Sequence, residues 1–279
     1  WGDGRVSRFY GALPRDEASA DLAPVTYLLG LDLRVLAVAR QPDPAEQART
    51  ILDMLRRTPP LGEPRAGGGQ APVLTLPDVF EPALCRRLIE GYEADGGTES
   101  GFMRERDGKT VLVLDHSHKR RSDWTIADEE LRNTLRQRVL RRIVPEIQRA
   151  YQFKVTRMER YIVACYDAAV GGYFQPHRDN TTKGTAHRRF AVTINLNSDE
   201  YEGGALMFPE FGRTFYRPPT GGAVVFSCGL LHQALPVTRG RRYAFLPFLY
   251  DDAAAKIREA NNAFLGENVA AYRQKPSAT

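Results

Sequence analysis

Gly171-Gly-Tyr-Phe-Gln-Pro-His-Arg-Asp-Asn180 carries a histidine and an aspartate two residues apart, and the rest of this chain is organised around them. Read as a strand, it sends His177 and Asp179 off one face, two residues apart, and Arg178 off the other. One imidazole and one carboxylate then converge. A third ligand, His232, ends a later apolar run, Val224-Val-Phe-Ser-Cys-Gly-Leu-Leu-His232, placed to return beside the first. Two imidazoles and a carboxylate on one face of an octahedral ion leave positions open, which is the donor set of non-haem Fe(II). Zinc hydrolysis is the chemical rival, but structural zinc takes four protein ligands and no cysteine stands here at ligand spacing.

Ten residues after His232 stands Arg242, across the turn-like Pro236-Val-Thr-Arg-Gly240. A hairpin there predicts that the strand of Arg242 lies against that of His232, offset by roughly three to five residues, ~10–15 Å at ~3.3 Å per residue. A metal and a guanidinium at that separation suit a dicarboxylic acid. One end chelates through a 2-oxo acid group and the other accepts a bidentate, charge-assisted pair. The ligand that fits is 2-oxoglutarate.

Residues 156–250 resemble the Fe(II)/2-oxoglutarate-dependent oxygenase superfamily and, within it, the prolyl 4-hydroxylase-like branch. The matching pieces are Arg160-Tyr161, Tyr166 upstream of Gly172-Tyr-Phe, His177-Arg-Asp179, Glu202-Gly-Gly-Ala-Leu206, and His232 followed by Pro236-Val-Thr and Arg242-Tyr. The resemblance implies that His177, Asp179 and His232 bind iron. It implies that Arg242, with Arg241 as the register alternative, holds the far carboxylate of 2-oxoglutarate. Tyr166 and Asn195 take the assisting positions; relatives can carry Tyr where Asn195 stands. It also implies O2 as oxidant, ascorbate as a candidate reductant, and succinate and CO2 as coproducts. A carboxylate at Asp179, where halogenating relatives carry Gly or Ala, favours hydroxylation over halogenation. The expected substrate is an amino-acid side chain, free or in a peptide or protein. The alternatives are a slow-turnover sensor of oxygen or 2-oxoglutarate, and a nucleic-acid demethylase.

The 279 residues are 42% hydrophobic and 26% charged, ordinary globular composition for one large domain or two smaller ones. No apolar run approaches the ~20 residues of a membrane span, and the opening Trp1-Gly-Asp-Gly-Arg5 lacks the apolar core of a signal peptide. A start at Trp1 suggests trimming or a fragment. Three widely spaced cysteines, Cys85, Cys165 and Cys228, argue against a disulfide framework and for a reducing, cytoplasmic setting. The net charge of +5 is compatible with acidic partners without requiring them. The arginines of 132–142 read as the solvated faces of a helix whose buried stripe is Leu131, Leu135, Val139, Ile143 and Ile147. With no aromatics interleaved among them, nucleic acid is disfavoured as a partner.

The expected class is α+β: a double-stranded β-helix, or jelly roll, with supporting helices, plus a small N-terminal unit. In residues 1–57, strand-like Ala23–Leu29 and Leu33–Val38 flank a turn at Gly30-Leu-Asp32, and a helix follows Pro44 with Ala48, Ile51, Leu52 and Leu55 as its apolar face. That order is similar to the last half of a thioredoxin or peroxiredoxin fold. It has no cysteine before Cys85, so peroxidase or disulfide chemistry is disfavoured and a docking or homodimerising unit is expected. Residues 58–72, rich in Pro and Gly, read as a linker. Residues 73–279 read as the oxygenase domain, opened by a strand at Val73–Leu76 and a helix from Pro82 that stops at Gly96-Gly97. Eight short strands are predicted between Met158 and Tyr250. The stretches 100–110 and 116–124 are expected to fold over the pocket mouth, making Arg104, Lys119 and Arg121 candidate substrate contacts. His116 and His118 read as surface-loop residues, His187 as bonded within its loop, and Cys228 as a buried thiol.

Overall fold

The computed structural model describes residues 5–13, 24–29, 35–57 and 70–273. The chain divides into two compact units, residues 1–69 with 210–213, and residues 70–209 with 214–279.

In the first unit, strands Thr26–Leu29 and Val35–Ala39 pair antiparallel, and the helix Pro44–Arg57 follows. The turn expected at Gly30-Leu-Asp32 and most of the expected linker, 58–69, lie outside the described residues. The predicted apolar helix face is corrected. Leu52 and Leu55 are exposed, and the buried position is Gln47, which donates to the carbonyls of Pro24 and Gln41, both at 2.7 Å. A polar side chain satisfying two backbone carbonyls sets the helix rotation here, where the 3.6-residue pattern pointed elsewhere.

The second unit is built on two antiparallel sheets. The major sheet runs, in spatial order, Leu74–Leu76, Ala223–Ser227, Phe190–Asn195, Arg241–Phe245, Ile162–Asp167, Ser122–Thr125 and Thr98–Glu99, with Phe248–Tyr250 and Arg157–Glu159 attached beside Phe190–Asn195. The minor sheet runs Phe215–Tyr216, Leu206–Met207, His232–Ala234, Tyr173–His177 and Lys119–Arg120. Alternation along the strands separates two cores. Val163 and Cys165, Val192 and Ile194, and Tyr243 and Phe245 point to the outer face, where they pack with Leu84, Leu88, Leu131 and Leu135 of the helices. Ala164 and Tyr166 point inward and meet Phe174 and Ala234 of the minor sheet. Each fully buried Val, Leu or Ile side chain in these layers contributes about 1.5–3 kcal/mol.

The helices carry the expected signals. Pro82–Asp95 has proline in its first turn and ends at Gly96 in the left-handed region, φ 85°. Glu129–Arg142 is capped by Asp128, whose carboxylate accepts from the Leu131 N–H at 2.6 Å. All five positions of the predicted stripe are buried, but the single helix expected there breaks at Ile143 and restarts as Val144–Tyr151. Pro145 has no N–H to continue the ladder, so the stripe survives while the axis changes. A strand pair absent from the sequence reading, Phe102–Arg106 with Lys109–Val113, turns at Asp107-Gly108, where φ is 50° and 72°. Positive φ at both central residues is the demand of a type I′ hairpin.

Candidate active site

The three expected metal ligands meet. Tyr173–His177 pairs with His232–Ala234 so that His177 and His232 are cross-strand partners. The strand stops at His177, and Asp179 is held just beyond it by its N–H, which donates to the Cys228 carbonyl at 3.0 Å. Asp179 is thus anchored to the segment that leads into His232. Its Oδ1 lies 3.6 Å from His177 Nε2 and its Oδ2 3.4 Å from His232 Nε2. One donor atom from each residue falls within 4.8 Å of the others, the only such group of histidine, cysteine and carboxylate side chains among the described residues.

Both imidazoles are oriented from behind. His177 Nδ1–H donates to the Gln175 carbonyl at 2.7 Å and His232 Nδ1–H to the Leu230 carbonyl at 3.0 Å. Each Nε2 lone pair is therefore free for a cation. Phe174 stacks on His177 with ring centroids 3.5 Å apart. Burial lowers His232 to about 4, which keeps the imidazole in the neutral, ligating form. Burial opposes ionisation of Asp179, but His232 and His177 outweigh it and hold the carboxyl below its usual range. A compact set of two imidazoles and one carboxylate fits a divalent ion.

Arg242 comes from the other sheet. Its strand, Arg241–Phe245, pairs with Ile162–Asp167 and Phe190–Asn195 and has no pairing with His232–Ala234. The expected hairpin is thus corrected. Val237–Arg239 forms its own short pairing with Glu202–Gly203, and Gly240, φ 74°, turns the chain across to the major sheet. Arg242 is the cross-strand partner of Tyr166. Its guanidinium sits 5.1 Å from the Tyr166 ring and donates through Nη2 to Asn195 Oδ1 at 3.3 Å. Its Nε is buried without a partner, and no carboxylate pairs with it among the described residues. Arg241, the register alternative, is exposed and paired with Asp167 and Glu93.

Gly172 allows this arrangement. A Cβ there would lie 2.6 Å from Asp167 N and 2.7 Å from the Tyr166 carbonyl carbon, so the strand carrying the histidine closes tightly on the strand carrying Tyr166. One cavity of about 970 Å³ is lined by His177, Asp179, His232, Arg242 and Tyr166.

Lys119 and Arg121 also line that cavity, Lys119 on the strand Lys119–Arg120 and Arg121 at the single-residue step between it and Ser122–Thr125, rather than on the loop expected. Both are buried. Lys119 Nζ donates to Ser100 Oγ and the Gly101 carbonyl; Arg121 donates to Asp123 Oδ2 at 2.7 Å and to the Tyr166 hydroxyl at 3.4 Å. Arg104 is exposed at the rim, over the Phe102 ring. His118 is corrected from the surface to the cavity wall, packed on Phe102 with ring centroids 4.4 Å apart; His116 is exposed and bonded to Glu99. His187 reaches out of its loop, its Nε2 3.1 Å from Glu159 Oε1, and Glu159 also accepts from Arg188 at 2.9 Å and Arg258 at 2.6 Å. Sequence reasoning gave no role to Glu159 or Arg188. Glu159 precedes the quoted Arg160-Tyr161, but it stands 28 residues before His187, and only the fold brings them together. Cys228 is a buried free thiol, as expected.

Residues 161–250 match the 2OG-Fe(II) oxygenase superfamily. A PKHD-type hydroxylase of Polaromonas sp. (strain JS666) is 29% identical over 189 residues, 62% of this chain and 75% of that protein. A PKHD-type hydroxylase of Pseudomonas fluorescens is 35% identical over 91 residues, and the match spans only 39% of that relative's length. The prolyl hydroxylase of Trichoplax adhaerens, solved with a hypoxia inducible factor oxygen degradation domain peptide, superposes with a TM-score of 0.53 at 18% identity, over 69% of this chain and 86% of that one. Its β-rich mixed fold agrees with the two-sheet jelly roll described above. Residues 161–250 thus match a 2OG-Fe(II) oxygenase domain, and the chain is similar to PKHD-type hydroxylases in sequence and to that prolyl hydroxylase in fold.

Proposed function

We propose that the chain is an Fe(II)- and 2-oxoglutarate-dependent dioxygenase that hydroxylates an unactivated C–H of an amino-acid side chain, free or within a peptide or protein. The observation that carries the reading is the convergence of His177, Asp179 and His232 on the cavity that also contains Arg242, a buried guanidinium without a carboxylate. His177, Asp179 and His232 would hold the iron; Arg242, with Tyr166 and Asn195 beside it, would hold the far carboxylate of the cosubstrate. Bound iron, with 2-oxoglutarate and O2, supplies an oxidant that inserts one oxygen atom into the C–H while the cosubstrate becomes succinate and CO2. The carbonyls of Gln175 and Leu230 keep both imidazoles in the ligating tautomer. Arg242 offers Nε and Nη donors in a fork that matches a carboxylate and, being buried, keeps water from competing for it. No side chain needs to act as general base.

The oxygenase domain is read as residues 73–279. The strand pair and helix within 24–57 are read as a thioredoxin-like fragment without redox chemistry, acting as a docking or homodimerising unit. The location is read as cytoplasmic; no described helix is long and apolar enough to cross a membrane.

The test is O2-dependent conversion of 2-oxoglutarate to succinate with Fe(II), run on wild type, His177→Ala and Arg242→Ala with pooled amino acids, peptides and cell extract. Turnover in wild type and its loss in both variants is expected. Tight binding of iron and 2-oxoglutarate without turnover in any pool would favour the sensor instead.

A further inference from the structure

Beside the metal ligands lies a second charged cluster that the cosubstrate does not account for. Asp123 accepts from Arg121 at 2.7 Å and from Arg160 at 3.4 Å through the same oxygen, Oδ2. Lys119, on the same wall, has only neutral acceptors, Ser100 Oγ at 2.7 Å and the Gly101 carbonyl at 2.6 Å. Two guanidiniums thus share one carboxylate, and the third basic side chain has none in contact. The cluster is not closed on itself either, because Asp123 Oδ1 and Arg121 Nε are buried without partners.

Its placement points at the reaction centre. Lys119 is the cross-strand partner of Phe174, with Nζ 5.0 Å from that ring, and Phe174 stacks on His177. Arg160 sits at the kink between Arg157–Glu159 and Ile162–Asp167 with φ 64°, a conformation L residues seldom adopt outside functional or turn positions. That kink lays its guanidinium 5.2 Å from the centre of the Phe248 ring, on the cavity wall. Excess positive charge away from bulk water is costly unless an anion completes it. Arg242 already answers the far carboxylate of 2-oxoglutarate, so the surplus is left for the other occupant of the cavity.

We propose that the substrate is anionic and presents a carboxylate or a phosphate to Lys119 and Arg160 beside the metal. This rests on the dioxygenase reading above. Arg121, tied to Asp123 and Tyr166, positions the cluster and links it to the cosubstrate end of the cavity.

The experiment loads the protein anaerobically with Mn(II) and 2-oxoglutarate and records paramagnetic relaxation of the methyl protons of acetate, methylphosphonate and neutral tert-butanol. Relaxation of the 2-oxoglutarate protons first establishes that metal and cosubstrate share the site. If they are not relaxed, the dioxygenase reading fails and this inference fails with it. If they are, saturable relaxation of acetate or methylphosphonate, at least 10-fold above tert-butanol, is expected, and whichever anion is relaxed identifies the group. Lys119→Met and Arg160→Gln should each weaken the anion effect at least 10-fold while 2-oxoglutarate remains relaxed, and Lys119→Arg should restore it. Anion relaxation equal to that of tert-butanol, or unchanged in both variants, overturns the inference while leaving the dioxygenase reading intact.

Discussion

Replacing Arg242 with methionine should separate stability from cosubstrate affinity, moving them in opposite directions. Arg242 is 3% exposed, and its guanidinium donates to Asn195 Oδ1 at 3.3 Å. Without cosubstrate it is a buried cation lacking a counter-charge, and replacing such a group with an apolar one of similar length is neutral or stabilising by about 1–2 kcal/mol. On the proposed role, it would make two charge-assisted hydrogen bonds to the cosubstrate, worth ~1.5–3 kcal/mol each. Losing them, offset by the Arg desolvation no longer required, leaves a deficit of about 3–4 kcal/mol, a 10²–10³-fold weaker Kd at ~1.4 kcal/mol per factor of ten. The assay is anaerobic calorimetric titration of 2-oxoglutarate into the metal-loaded proteins, with thermal unfolding of the cosubstrate-free forms alongside. The variant should unfold at the wild-type midpoint or a few degrees above it. A Kd within threefold of wild type, or a midpoint more than ~5 °C lower, when 1 kcal/mol moves Tm by about 2–4 °C in a chain of this size, would refute the reasoning.

Three further outcomes follow from the same geometry. Glu159→Gln leaves Arg188 and Arg258 without the carboxylate they share, and should cost about 3–5 kcal/mol in a denaturant titration; a loss under 1 kcal/mol would show that the network does not stabilise the fold. Asp123 has its carboxyl brought down to about 2 from the ordinary 3.8, burial opposing ionisation while Arg121 and Arg160 outweigh it. Its contribution, about 2 kcal/mol, is complete above pH ~4 and fades as the pH falls toward 2, so the stability gap between wild type and Asp123→Asn should shrink over that range; a constant gap contradicts the assignment. Gly172→Ala forces a Cβ to within 2.8 Å of the Tyr166 and Asp167 backbone and should cost ~1–3 kcal/mol while raising the KM for 2-oxoglutarate; an unchanged KM would mean the Tyr166 strand is not displaced.

What the sequence disclosed and what it hid divide along physical lines. The convergence of His177, Asp179, His232 and Arg242 on one cavity was legible because a metal's donor set and a dicarboxylate's length call for particular residue types at characteristic spacings. The eight-strand pattern from Met158 to Tyr250 was legible through alternation, although Arg160 with its neighbour Tyr161 splits one predicted strand and Leu246-Pro247 another. Which sheet carries Arg242 was hidden. A short turn-like segment reads as a hairpin, and only the pairing of Val237–Arg239 with Glu202–Gly203 shows a crossing between sheets. The hairpin at Asp107-Gly108 was readable in principle, but the charged Arg104-Glu-Arg-Asp107 masked the alternation of its strands. Burial of Lys119 and Arg121 could not be read at all, because charge in a sequence argues for exposure and only the folded cavity shows otherwise.

The central claim is that His177, Asp179 and His232 form one metal site on which 2-oxoglutarate binding depends. The direct measurement is anaerobic titration of Fe(II) into wild type and Asp179→Ala, followed by 2-oxoglutarate in each. One iron per wild-type chain is expected, with loss of tight binding in the variant and cosubstrate affinity that collapses with it. Undiminished iron binding by Asp179→Ala, or 2-oxoglutarate bound equally well without metal, would contradict it.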